Sequence, residues 1–273
     1  MPDRLVIISD THLGRPHCSA GSAEALRPLW QGASHLIING DAAEVHHPQF
    51  RTAAARQILA LQDLCEADGV ALSLISGNHD PYLTDLRHLY LADGQVLVTH
   101  GDALHPAITP WSPAAGRLRA AVTKAMAAVD RESHDHLETR LAAFQYASGA
   151  EWAGMLEREA DRSRVISMFI RPWSMIRVLH YWSIIPRRAA EFLERFAPAA
   201  RFILLGHTHH SGIWHINDRC IINTGSFGFP GRPQMVIVEG QTMTVRPIRW
   251  RRRNWAFTAR LVATFQLQTD ATP

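Results

Sequence analysis

Five short apolar runs in this chain each break abruptly into a cluster of Gly, Asp, Asn or His. Leu5-Val6-Ile7-Ile8 leads to Asp10-Thr11-His12, and Leu36-Ile37-Ile38 leads to Asn39-Gly40-Asp41. Ala71 to Ile75 leads to Gly77-Asn78-His79-Asp80, Val96-Leu97-Val98 to His100-Gly101-Asp102, and Phe202 to Leu205 to Gly206-His207-Thr208-His209-His210. Runs of this length, rich in Val, Ile and Leu, predict strands buried on both faces. Helical stretches fit between the early runs at Ala20–Leu29 and Phe50–Ala67. Strands alternating with helices imply an α/β domain.

From Ala114 to about Phe196 the pattern turns mostly helical, with Pro172 and Pro186 as expected breaks. Strands resume at Phe202 and continue through Cys220–Thr224, Gln234–Glu239 and, after a turn at Gly240-Gln241, Thr242–Ile248. The expected organisation is one domain over 1–273 with a helical insertion at about 105–198.

A hydrophobic content of 47% is ample for a core of that size. Cys18, Cys65 and Cys220 are too few and too scattered for a disulfide framework or a zinc knuckle, so a reducing, cytoplasmic setting is expected. The apolar run in MPDRLVIISD is too short for a signal peptide. The net charge of +3 is modest, but Lys124 is the only lysine and Arg carries nearly all the positive charge. The planar fork of Arg suits phosphate oxygens.

In open α/β sheets, ligands sit beyond the carboxyl ends of the strands. The five runs deliver Asp10, His12, Asp41, Asn78, His100, His207 and His209 to that edge. Oxygen and imidazole donors without thiolates suit Mn, Fe, Zn or a similar divalent ion. Residues two apart on an extended turn project the same way, which lets Asp10 pair with His12 and His207 with His209. Neutral imidazoles gathered in this way do not repel, because each offers a lone pair to a shared cation. Gly40, Gly77, Gly101 and Gly206 permit sharp exits and close backbone approach.

Taken singly, Asp10 reads as a helix cap, Asp41 and Asn78 as turn formers and His100 as a packed histidine. Their recurrence at five run ends favours one site. Asp80 and Asp102 read as supporting or backbone-capping groups. His46, His47, His105 and His210 lie near motif ends; lining the pocket is one reading, and surface exposure is the default expectation. His17, His35, His88, His134, His136, His180 and His215 sit in no motif.

The set DTH at 10–12, GD at 40–41, GNHD at 77–80, HG at 100–101 and GHTH at 206–209 resembles the calcineurin-like metallophosphoesterase superfamily. That resemblance implies an α/β fold of the metallophosphoesterase type, a β-sandwich flanked by helices (α/β/β/α). It also implies two divalent metals, Mn first with Fe or Zn as alternatives. Asp10, His12 and His209 would hold one metal, Asn78, His100 and His207 the other, and Asp41 would bridge them. His79 takes the place of the histidine that stabilises the transition state or protonates the leaving oxygen, and Glu44 that of an acidic residue orienting it. The implied reaction is direct attack of a metal-bridging hydroxide on phosphorus, with no covalent enzyme intermediate.

Within the superfamily, THGDAL and GHTHH look like the bacterial UDP-2,3-diacylglucosamine hydrolases, pyrophosphatases that also carry a helical insertion and have Arg at the place of His79. A phosphoester or pyrophosphate substrate is therefore expected, with a lipid-linked one among the candidates. From Arg162 to Arg188 there are six Arg and no Asp or Glu, interleaved with Trp173, Tyr181 and Trp182. The alternatives are a lid touching a lipid substrate or the inner face of a membrane, and two helices packed on the domain with Arg exposed. The second is favoured. Arg249-Trp250-Arg251-Arg252-Arg253 suggests nucleic acid only weakly, so a nuclease or nucleotide phosphodiesterase is a minority reading. A protein-binding scaffold with a degraded metal site, such as a retromer subunit, is a further alternative, which the full donor set disfavours.

Overall fold

A computed structural model of the chain describes residues 3–17, 19–157, 172–228 and 231–268. In one sheet, β1 (Arg4–Ile8), β2 (His35–Asn39) and β3 (Ala71–Ile75) pair in parallel. Strand β1 also pairs antiparallel with β9 (Gln234–Glu239), and β9 with β10 (Thr242–Arg251), which holds β11 (Asn254–Phe257) and β12 (Ala263–Gln266). The second sheet runs in the order β4 (His88–Leu91), β5 (Val96–Thr99), β6 (Phe202–Leu205), β8 (Arg219–Asn223) and β7 (Gly212–Ile216), parallel in the middle and antiparallel at its edges.

Alternation along these strands builds the layers. Ile7 and Ile37 from the first sheet and Val96, Val98, Phe202, Leu204 and Ile222 from the second form the core between the sheets. The intervening residues Val6, Ile8, Leu36 and Ile38 face outward, against α1 (Ala23–Leu26) and α2 (Arg51–Ala67). Leu97, Ile203, Leu205 and Ile221 face the opposite way, against α3 (Ala115–Ala127), α4 (Leu137–Glu157) and α5 (Pro172–Phe196). Two sheets flanked by helices on both outer faces are the expected sandwich.

Several local expectations change. The helix expected over Ala20–Leu29 shortens to α1, capped by Ser22, and tightens into a 3-10 turn over Arg27–Trp30. Pro28 explains this, because it has no N–H to continue an α-helical ladder. Pro186 does not break the helical block but lies inside α5. Its local cost is outweighed by burial of Tyr181, Ile185, Ala189, Ala190 and Leu193 along the same helix. The edge strands β4 and β7 and the terminal β11 and β12 are half-buried and short, so their apolar alternation is weak. The basic cluster is the tip of a hairpin: Arg252 and Arg253 take φ of 48° and 68°, and Trp250 packs on Trp255 at 5.2 Å.

Phe202 is 1% exposed and meets Phe265 edge-on at 5.3 Å across the inter-sheet core. Phe202→Ala is expected to cost about 3–5 kcal/mol in chemical denaturation; a loss below about 1 kcal/mol would show that this core is not tightly packed.

Candidate metal centre

Polar side chains from both sheets meet at the carboxyl ends of five strands. Asp10 and His12 follow β1, Asp41 follows β2, Asn78 follows β3, His100 follows β5, and His207 and His209 follow β6. All of these are buried except His209, which is half-buried. Asp10, His12, Asp41 and His209 bring one donor atom each within 4.8 Å of the others. In this group His209 Nε2 lies 3.3 Å from Asp10 Oδ1 and 3.2 Å from His12 Nε2, which is 3.9 Å from Asp41 Oδ2. On the other side of Asp41, His100 Nε2 lies 3.3 Å from Asp41 Oδ2 and 3.3 Å from Asn78 Oδ1. Asn78 Oδ1 in turn lies 2.7 Å from His207 Nδ1. Asp41 is thus common to two adjoining donor groups.

The backbone is bent to achieve this. Asp10, His12, Asp41, His207 and His209 have φ of 50°, 45°, 50°, 64° and 57°. Asp and His tolerate the left-handed region better than most residues, yet each instance costs about 1 kcal/mol or more. A Cβ placed on Gly40, Gly77 or Gly206 would overlap His100, Asp41 or Asp10 respectively, so the donor side chains fill the space a larger residue would take.

Each inner imidazole is tied off on its outer side. His100 Nδ1 donates to the Asn39 carbonyl at 3.1 Å, His207 Nε2 to the Ile108 carbonyl at 3.0 Å, and His12 Nδ1 to Glu44 Oε1 at 3.1 Å. These bonds fix the tautomers and leave His100 Nε2, His207 Nδ1 and His12 Nε2 with lone pairs facing inward, as metal-binding histidines require. Oxygen and imidazole donors, cleared of steric obstruction and held in the right tautomer, fit a pair of divalent cations.

Glu44 serves two imidazoles, since its Oε2 also accepts from His79 Nδ1 at 3.0 Å, and it takes Arg15 at 3.4 Å. The His79 amide donates to Asp41 Oδ1 at 2.8 Å. Asp80 accepts from the amides of Asp41, Ala42, Ala43 and Gly77, locking the β2 and β3 loops together. Asn39 does the same between the sheets, donating to the carbonyls of Thr99 and Leu204 at 3.0 and 3.1 Å.

Burial pushes His207 down to about 3 and His12 below its ordinary value, so both are neutral ligands at pH 7. Burial also pulls on His100, but the Asp41 carboxylate beside it raises its value well above the usual. Burial opposes the charge on Asp41 and Glu44, yet the surrounding histidines hold both well below the carboxylate range. Burial and the Asp41 charge push Asp80 up to about 7, against the pull of its amide donors. For His79 burial acts downward, while Glu44 and Asp41 more than offset it and bring the group to about 9.

The sequence reading missed what the helical block contributes. Trp152 on α4 donates its indole N–H to the Asn78 carbonyl at 2.7 Å, and Trp182 on α5 donates to the Thr208 carbonyl at 2.9 Å. No sequence signal pointed to Trp152, since a Trp on a helix reads as core, and Trp182 drew notice only as part of the basic and aromatic stretch. Arg15, three residues past His12, is the one missed neighbour a closer reading of DTHLGR could have found. His46, His47, His105 and His210 are half-buried, contrary to the expected surface placement. His47 stacks on Phe50 at 4.3 Å, His210 on Trp182 at 4.4 Å, and His105 meets Tyr181 at 5.6 Å, so aromatic packing removes them from solvent. Tyr181 is fully buried, 5.0 Å from Trp111 and 6.3 Å from the His207 ring. Tyr181 and Trp182 therefore pack on the domain; the side chain of Trp173 and the arginines up to 171 lie outside the described residues. Cys18 also lies outside them, and Cys65 and Cys220 are buried free thiols.

In metal-free protein the His79 ring proton resonances should titrate near pH 9, and Glu44→Gln should move the midpoint down toward the free histidine value of about 6.5. Because the folded value is raised, the stabilisation from this pair is complete below about pH 6.5. It fades as pH rises through about 9. An unchanged midpoint in the variant would show that Glu44 does not hold the proton on His79.

A search of curated proteins returned no match. Among solved structures, a dimetal phosphatase from Danio rerio aligns over 98% of this chain and 100% of its own, with 13% identity and a TM-score of 0.49. Vps29 from Chaetomium thermophilum aligns over 99% of this chain and 98% of its own, with 12% identity and a TM-score of 0.44. No described helix is long and apolar enough to cross a membrane. The model of the calcineurin-like phosphoesterase family matches residues 3–211, which span every strand end of the centre, and the chain belongs to that family.

Proposed function

We propose that the protein is a hydrolase that cleaves a phosphoester or pyrophosphate bond at a dinuclear metal centre. The observation that carries this reading is the set of three inward-facing imidazole lone pairs, each fixed by a hydrogen bond on the far side of its ring. Asp10, His12 and His209 form one ligand group, Asn78, His100 and His207 the other, and Asp41 joins them. Two divalent cations there supply Lewis acidity and a lowered pKa for a shared water; Mn is our first choice.

The protein's own groups do the rest. Glu44 anchors His79 through Nδ1, which leaves Nε2 to hold a proton for the leaving oxygen. The Trp152 and Trp182 indoles hold the Asn78 and Thr208 carbonyls, and thus the loops that present the ligands. The stretch at about 105–198 acts as a helical insertion in a single domain, steadying the centre from one side. The pyrophosphate of UDP-2,3-diacylglucosamine is the first substrate to test, on the strength of THGDAL and GHTHH. The packing of Tyr181 and Trp182 gives no support to a lipid-facing role for those two rings. We place the activity in the cytoplasm.

The purified protein should bind two divalent ions per chain and hydrolyse bis-p-nitrophenyl phosphate in a Mn-dependent manner. His79→Asn should lower kcat/KM by about 10²–10⁴-fold with metal content unchanged. Asp41→Asn should lower both activity and metal content. Well-folded protein that takes up no divalent ion, or an Asp41→Asn variant with full activity, would overturn the proposal.

A further inference from the structure

A second cationic concavity shares a wall with the metal centre. It encloses about 440 Å³ and is lined by His105, by Arg119 from α3, and by Arg177, His180, Tyr181 and Arg188 from α5. The α5 residues recur at helical spacing, so one face of the helix presents two guanidinium groups and an imidazole to this concavity, with Arg177 and His180 exposed and Arg188 half-buried. Tyr181 is the shared wall, since its ring also lies 6.3 Å from that of His207.

Among the described residues, Arg119, Arg177 and Arg188 pair with no carboxylate. No Asp or Glu lines the cleft. Neighbouring arginines on α3 and α5 do find carboxylates, Arg117 with Glu151, Arg187 with Glu191 and Arg195 with Asp135. Among the described residues, Arg188 makes only a 3.5 Å contact with the Leu104 carbonyl. Burial, with Arg188 and Arg119 adding to it, pushes His105 down to about 4.

Two further features border the cleft. The Tyr181 hydroxyl is buried with no hydrogen-bond partner, which native structures rarely tolerate. The first turn of α3 opens here through Ala115 and Gly116, with no side-chain cap and no acidic residue, so its dipole favours an anion, although the Ala115 amide already donates to the Ser112 carbonyl at 3.1 Å. Guanidinium forks match tetrahedral oxyanions bidentately, and three of them suit a double negative charge better than a single carboxylate. The concave shape suits a small molecule rather than a flat membrane surface.

We propose that this cleft binds a phosphate-type dianion, held by Arg119, Arg177 and Arg188. The site stands apart from the hydrolytic chemistry and is tested separately from it. Inorganic pyrophosphate and glucose 1-phosphate are titrated calorimetrically into the full chain, as purified and again after chelation. At least one probe should bind saturably at one equivalent in both states. The double variant Arg177→Gln with Arg188→Gln should weaken that binding at least about tenfold. His209→Ala, which touches only the metal centre, should leave it within about twofold. Arg177→Gln alone, at an exposed position, guards against misfolding of the double variant and should still weaken binding. Preference for pyrophosphate marks a free inorganic phosphate-type anion as ligand, and preference for glucose 1-phosphate marks a phosphate carried on an organic molecule. Absence of saturable binding by either probe, or binding lost in His209→Ala but kept in both arginine variants, overturns the assignment.

Discussion

Lone pairs facing lone pairs across a few ångströms set the terms for everything around them. His207 Nδ1 points at Asn78 Oδ1 over 2.7 Å. His100 Nε2 meets Asp41 Oδ2 at 3.3 Å. Buried contacts of this kind are repulsive unless positive charge lies among them. The raised value of His100 shows the same demand: without a cation, a proton is drawn into the gap beside Asp41. The left-handed backbone at five donor positions is a cost that only such a centre makes worthwhile.

The surroundings answer that demand in layers. Asp80 gathers four amides and so fixes the loop that carries Asp41 against the loop that carries Asn78. Glu44 holds His12 and His79 by opposite oxygens, so two imidazoles of the centre are oriented by one carboxylate. The helices that follow Gly101 complete the enclosure through the Ile108 carbonyl and two indoles. Each helper acts on backbone or on an outer nitrogen, leaving the inner lone pairs free.

The central strands and the donor clusters were legible because both signals are local. A buried strand reads as an apolar run, and a strand end that must turn sharply reads as Gly beside Asp or His. What escaped the sequence depends on distance in the fold. Edge strands such as β4 and β7 lack two-sided burial, so the pattern is weak. Pro186 reads as a helix breaker, and only packing along α5 shows otherwise. Trp152 meets Asn78 from 74 positions away, a pairing that no periodicity encodes. The half-buried histidines at 46, 47, 105 and 210 were misplaced for the same reason, since their aromatic neighbours come from other elements.

The donors also have a mechanical meaning. Asp10, His12, Asp41 and Asn78 hang from β1, β2 and β3, whereas His100, His207 and His209 hang from β5 and β6. Any cation shared between these sets spans the seam of the sandwich like a rivet. Sliding one sheet over the other would have to stretch coordination bonds before it disturbed the apolar filling. The softest motions of a loaded molecule therefore lie away from this edge, at peripheral ribbons such as the β10–β11 hairpin.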